Sequence, residues 1–179
     1  CLEGVPGMGF AIVRKKALEA CAGNAHSLSL DLHAQWMGLE KTGQWRFPPP
    51  TQVIVAFDKA LDQFAGNGGT EGRLKRYTEN CEILVDGMRE MGFKTLLPDE
   101  LQAPIIITFH SPADAAFKFQ TFYDLIAKQG YLIYPGKLTV AESFRIGCIG
   151  NLGEAEMHGA LDAVRSAIEL MGVTNLSPA

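Results

Sequence analysis

Residues 119–149 read FQTFYDLIAKQGYLIYPGKLTVAESFRIGCI, and the succession of patterns in this stretch decides the fold class. Phe119–Lys128 reads as a helix that stops at Gly130, where a left-handed C-cap favours glycine. Tyr131–Tyr134 reads as a short strand closed by Pro135-Gly136, and Phe144–Ile149 as another strand. Upstream, Ile105–Phe109 is a continuous apolar run of the kind found in a central strand. Before it come a strand at Phe93–Leu97, a Pro98-Asp99 turn, and a helix from about Glu71 to Met91. That helix carries Leu74, Tyr77, Cys81, Leu84 and Met88 at helical spacing, and Gly92 stops it. Downstream, Met157, Leu161, Val164, Ile168 and Met171 mark a last helix at Glu154–Met171. From Thr70 onward the order is helix, strand, strand, helix, strand, strand, helix, which is an α+β layer with one sheet covered by helices.

The preceding residues have a different pattern. Gly4–Gly9 is turn-rich, and Phe10-Ala11-Ile12-Val13 predicts a buried strand. Arg14, Lys15 and Lys16 end it and lead into a short helix near Ala17–Cys21. A second helix is expected over Leu30–Leu39, since Leu32, Trp36 and Leu39 share a face. Trp45–Thr51 (WRFPPPT) is held extended by its prolines. From Gln52 the spacing of Ile54, Phe57, Leu61 and Phe64 is helical, until Gly66-Asn67-Gly68-Gly69 breaks it. This break sets the expected division, residues 1–69 and residues 70–179, with Thr70 able to cap the helix that begins there.

Composition bounds the function classes. The chain has 179 residues, 47% of them apolar, and a net charge of −4 with Lys and Arg scattered. A nucleic-acid partner, which calls for a basic footprint, is not expected. No apolar run approaches the ~18 residues of a membrane span, and no basic-then-apolar signal sequence stands at the N-terminus. The four cysteines, Cys1, Cys21, Cys81 and Cys148, show no CxxC spacing, and a reduced cytoplasmic setting fits them. The chain opens without Met, on CLEGVPG, and reads as the middle of a longer protein.

Few residues promise chemistry. The four histidines have no ligand-like pairing, so a metal site is not expected. Gly4–Gly9 could bring backbone N–H groups to a phosphate or simply make a tight turn. Lys137 could serve as a Schiff-base amine if desolvated, or be a solvated loop lysine. Thr51 could meet an anion at the start of its helix or cap that helix. Arg145 is more informative: strand alternation puts Phe144, Ile146 and Cys148 on one face and leaves Arg145 beside Gly147 on the other. An arginine there must reach solvent or find an anion, and its planar fork suits a carboxylate or phosphonate.

Six stretches occur in one order: Cys1–Phe10 (CLEGVPGMGF), Leu28–Trp36 (LSLDLHAQW), Trp45–Thr51 (WRFPPPT), Leu96–Pro104 (LLPDELQAP), Ile133–Thr139 (IYPGKLT) and Phe144–Gly150 (FRIGCIG). Together they resemble the C-terminal half of the 2-aminoethylphosphonate–pyruvate transaminases, class V aminotransferases of the fold-type I pyridoxal-phosphate group. The resemblance implies an α/β fold in which the end of the large domain precedes an α+β C-terminal small domain. It implies pyridoxal 5'-phosphate as cofactor, an amine and a 2-oxo acid as substrates, and a homodimer. Within it, Arg145 matches the arginine that binds the substrate's acid group. The family's cofactor lysine would fall just before Cys1, so the 179 residues alone would be inactive. Pro48 stands where the family usually has a threonine that touches the cofactor phosphate of the neighbouring subunit, and Thr51 is the nearest substitute. Two alternatives stay open: a serine– or alanine–glyoxylate transaminase of the same class, and a non-catalytic small-molecule-binding α+β domain.

Overall fold

The computed structural model describes residues 1–136 and 141–178, so Lys137 and the end of the IYPGKLT stretch lie outside the described residues. The chain divides into two compact units, one of residues 2–63 and one of residues 64–179 together with Cys1.

In the second unit, helix α4 (Gly69–Met91) ends on Gly92 in the left-handed region. Next in chain order are strand β1 (Ile106–His110), helix α5 (Phe119–Lys128), strands β2 (Tyr134–Pro135) and β3 (Ser143–Gly147) and helix α6 (Glu154–Met171). The sheet is antiparallel in the order β1-β3-β2. Its middle strand is therefore β3 rather than β1, which was expected to be central. The outer edge of β1 is met by an isolated bridge from Thr95 to Phe109.

That bridge is what remains of the strand expected at Phe93–Leu97. The Phe93 N–H is spent on the Met88 carbonyl at the end of α4 (3.0 Å). Pro98 then turns the chain into a short 3-10 helix at Asp99–Leu101, leaving room for little pairing. The strand expected at Tyr131–Tyr134 is likewise displaced to Tyr134–Pro135.

All three helices lend apolar faces to one core. Leu84, Val85 and Met88 of α4, Phe122 and Ile126 of α5, and Met157, Leu161, Val164 and Ile168 of α6 bury against Ile107, Phe109, Phe144 and Ile146 of the sheet. Phe144 is fully buried, with the rings of Phe93, Phe109, Phe117, Phe119 and Phe122 centred 5.3–6.5 Å away. Such offset and edge-on pairs add attraction beyond the area they bury. Along β3 burial alternates, with Phe144 and Ile146 inside and Ser143, Arg145 and Gly147 half-exposed. The α6 start is closed by Glu156, whose carboxylate accepts the Gly153 N–H (2.8 Å).

In the first unit, helices α1 (Lys15–Glu19), α2 (Leu32–Thr42) and α3 (Thr51–Gly66) appear close to their expected places. Asp31 caps α2 through its carboxylate on the Ala34 N–H (2.9 Å), and Gly43 ends it in the left-handed region. The strand expected at Phe10–Val13 does not form, and Phe10 and Ile12 are 73% and 95% exposed. A strand needs a partner for its backbone groups, and residues 2–63 contain no other strand. Of residues 2–63 only Ala60 is buried.

Candidate functional site

Arg145 stands on the sheet face away from the helices. Register pairs it with Thr108 on β1 and Tyr134 on β2, so the three side chains form one row across the sheet. Its Nε donates to the Pro135 carbonyl oxygen (3.2 Å), and its guanidinium carbon lies 5.9 Å from the centre of the Tyr134 ring. Among the described residues no carboxylate pairs with it. With Nε held by the backbone, the planar guanidinium keeps its terminal N–H donors, a geometry that suits an anion. The space expected beside it is present: a side chain at Gly147 would meet no heavy atom nearer than the Ile105 carbonyl oxygen at 4.0 Å.

The turn that supplies Tyr134 and Pro135 is fixed by Gly136. Its N–H donates to the Ser143 carbonyl oxygen (2.8 Å), and a Cβ placed on it would fall 2.2 Å from that same oxygen. Only glycine permits so close an approach of β2 to β3. The far end of β3 is pinned from α4. Asn80, 1% exposed, donates from Nδ2 to the carbonyls of Cys148 and Leu152, both at 3.1 Å. The Tyr77 hydroxyl accepts the Gly150 N–H (3.4 Å).

Thr51 and Pro48 belong to the first unit. Both are exposed, and Thr51 is the first residue of α3. Thr51 does not cap the helix: the Pro50 carbonyl accepts the N–H groups of Val53 (2.9 Å) and Ile54 (3.1 Å), which gives Pro50 the capping position. The Thr51 hydroxyl makes only a long contact to Gln52 Oε1 (3.5 Å) and is open to an anion at the positive end of the helix. Pro48 offers neither hydroxyl nor N–H, so a phosphate could be met here by Thr51 and not by Pro48. Gly4 and Gly7 serve a packing role, since added side chains there would meet Phe57 at 3.1 Å and Val53 at 3.3 Å on α3.

The pattern of the sequence located Arg145 and its open neighbour Gly147. It did not show Tyr134 and Thr108 as flanking residues, because strand register is a tertiary fact; once β2, β3 and β1 are paired, both are placed. Asn80 was legible only as a polar residue amid the apolar positions of α4.

No protein-family model matches the chain. It is 54% identical over 173 residues, 97% of its own length, to a 2-aminoethylphosphonate–pyruvate transaminase of Cupriavidus taiwanensis. It is 51% identical over the same share to one of Polaromonas sp. strain JS666. The chain spans 46% of the length of each of these relatives, the C-terminal part. Among solved structures it resembles pyridoxamine–pyruvate aminotransferase from Mesorhizobium loti, with a TM-score of 0.76, 20% identity, and coverage of 91% of this chain and 43% of that one. It also resembles ureidoglycine–glyoxylate aminotransferase from Bacillus subtilis, with a TM-score of 0.71, 17% identity, and coverage of 88% and 41%. These likenesses show the fold alone, one that the chain shares with 41–43% of each of those two structures.

Proposed function

We propose that the chain is the C-terminal half of a 2-aminoethylphosphonate–pyruvate transaminase and supplies the grip on the substrate's acid end. Its sequence similarity to proteins of that name carries the reaction class. The observation that carries the site is Arg145: half-exposed, free of any described carboxylate, with Nε on a backbone carbonyl and open space at Gly147. The amine donor ends in a phosphonate, and pyruvate and its product alanine end in a carboxylate. One planar guanidinium can hold either anion bidentately, so the same residue serves both halves of the cycle. Tyr134 and Pro135 keep that guanidinium in one pose before substrate arrives, which reduces the ordering cost of binding.

Pyridoxal 5'-phosphate, when bound, supplies the electron sink for proton movement at the amine-bearing carbon. Thr51, at the N-terminus of α3, is the residue of this chain suited to its phosphate, across a subunit boundary, while Pro48 contributes no donor. The covalent hold on the cofactor falls to the half of the relatives' length that the chain does not span. A homodimer is proposed on the exposed apolar residues of the first unit, Phe10, Ile12, Leu28, Leu30, Trp45 and Phe47 among them. Residues 1–69 would then be the end of the large domain and residues 70–179 the small domain. Among the described residues no helix is long and apolar enough to cross a membrane, and the free cysteines favour a cytoplasmic protein.

The test is to incubate the full-length protein with 2-aminoethylphosphonate and pyruvate and monitor phosphonoacetaldehyde, with serine and alanine plus glyoxylate in parallel. Phosphonoacetaldehyde and alanine are expected. Turnover of the glyoxylate pairs without phosphonoacetaldehyde would replace the substrate reading, and no transamination at all would leave the non-catalytic domain.

A further inference from the structure

On the open face of the sheet, Arg145 has one near neighbour that the transaminase reading leaves without a task. Thr108 lies between the fully buried Ile107 and Phe109 and is itself half-exposed, so its side chain belongs to the same face as Arg145. Backbone hydrogen bonds fix the kind of pairing. The Cys148 N–H donates to the Ile105 carbonyl (3.1 Å) and the Ser111 N–H to the Glu142 carbonyl (2.9 Å), both in step with the β1–β3 register. Bonded pairs alternate along an antiparallel ladder, so Thr108 and Arg145 fall on a pair without mutual hydrogen bonds, the kind whose Cα atoms approach to about 4.5 Å. On β2, the Gly136 N–H donates to the Ser143 carbonyl (2.8 Å). Two residues away, Tyr134 opposite Arg145 is therefore a pair of the wider kind, about 5.5 Å apart. The Thr108 carbonyl is taken by the Leu96 N–H (2.9 Å), whereas its hydroxyl has no partner among the described residues. Ile106 and Gly147 form the next pair of the same face, and Gly147 leaves it open. An anion seated over Gly147 is bordered by Arg145 along the strand and by Thr108 on the diagonal, positions about 7 Å away.

We infer that Thr108 is a specificity-determining residue, which tells the phosphonate from the carboxylate by donating its hydroxyl to the oxygen that the guanidinium leaves over. The inference rests on the transaminase reading and deepens it. A carboxylate has two oxygens, and the bidentate fork of one arginine takes both. A phosphonate has three in a tetrahedral array, so the same fork leaves the third out of its plane. A charged oxygen drawn out of water without a donor is costly to bind. Pro135 and Tyr134 hold the guanidinium from the β2 side, and Thr108 stands on the β1 side, where a second donor can meet the same anion. A threonine hydroxyl turns about its own bond to suit an acceptor. Arg145 thus supplies charge to both substrates, and Thr108 adds one bond that only the amine donor can use.

The experiment is steady-state kinetics of the full-length protein, with kcat/KM measured separately for each substrate. Thr108→Val keeps the β-branched shape that suits a strand and removes the hydroxyl. Its kcat/KM for 2-aminoethylphosphonate should fall roughly 10–100-fold, as for a lost hydrogen bond to a charged group, while that for pyruvate changes by less than about twofold. Thr108→Ser, which restores a hydroxyl, should return the ratio of the two values toward wild type. A measurement on the wild type decides the matter if Thr108→Val fails to fold. Ethanesulfonate, with three oxygens and a single charge, should compete with the amine donor more strongly than propionate, with two oxygens and the same charge. An equal loss for both substrates in Thr108→Val, as a purely structural strand residue would give, overturns the inference. So does no loss for either, or propionate as the better competitor. Wild-type protein that yields no phosphonoacetaldehyde overturns the transaminase reading itself and the inference with it.

Discussion

Arg145 concentrates what a single residue can be asked to do here. Arg145→Lys keeps the charge but loses the planar fork, and a hydrogen bond to a charged group contributes about 1.5–3 kcal/mol. The full-length variant should therefore lose roughly 10–100-fold in kcat/KM. The loss should appear with both the phosphonate donor and pyruvate if, as proposed, both anions meet the same group; steady-state kinetics on each substrate checks this, and unchanged values would remove Arg145 from the site. Tyr134→Leu withdraws the ring beside the guanidinium, an interaction of about 0.5–1 kcal/mol at an exposed position. Its expected signature is a raised KM with kcat little changed. Strand alternation put Arg145 on the face opposite Phe144 and Ile146, and the resemblance, not the alternation, implied its role toward an anion. The sequence could not show Tyr134 beside it, because alternation speaks of faces within a strand and says nothing about which residue of another strand lies opposite.

At the scale of elements, the close packing of α4 on α6 depends on one missing side chain. A Cβ at Gly87 would lie 2.4 Å from Leu161 Cδ1, and Leu161 is itself buried. Gly87→Ala should destabilise the second unit by about 1–3 kcal/mol despite the better helix propensity of alanine, read by thermal or urea unfolding. Asp114 ties the C-terminal segment to the approach to α5. Its carboxylate accepts the N–H groups of Ala116 (2.9 Å), Thr174 (2.9 Å) and Asn175 (3.1 Å). These bonds hold its pKa well below the ordinary 3.8, at about 2. Because the folded value is depressed, the stabilisation is fully present above pH 3.8 and is lost as pH falls through about 2. The Tm difference between wild type and Asp114→Ala should accordingly be largest near neutral pH and close toward pH 2. Helices were the legible elements: α5 and α6 fall where the apolar spacing put them. Phe10–Val13 and Phe93–Leu97 misled because an apolar run carries no record of whether a partner strand is available.

The whole molecule joins a well-buried unit to a poorly buried one. Residues 64–179 hold nearly all of the core, whereas residues 2–63 contain one buried residue and many exposed apolar side chains. Amides of α4, α5, α6 and the sheet should exchange slowly in the isolated 179-residue chain, and those of residues 2–63 with local opening free energies near zero. In the full-length protein the second group should become protected. Hydrogen–deuterium exchange with peptide resolution checks both statements, and slow exchange of residues 2–63 in the isolated chain would argue that this unit is complete by itself. Composition and charge narrowed the partner classes to be expected. The proposed reaction rests on motif order and on similarity, because the residues that would hold the cofactor covalently lie outside the physics of this chain.

The one-sided sheet has a consequence for how such a protein could change its diet. On β3 the residues that secure folding and the residue proposed to meet the ligand alternate, Phe144 and Ile146 inward and Arg145 outward. Thr108 and Tyr134 lie in the same row as Arg145. A new acid group could be accommodated by exchanging amino acids at positions 108, 134 and 147 without disturbing a single contact of the aromatic cluster. Innovation in substrate choice and robustness of the scaffold are thereby placed on opposite sides of one strand, and a library confined to those positions would sample the first while sparing the second.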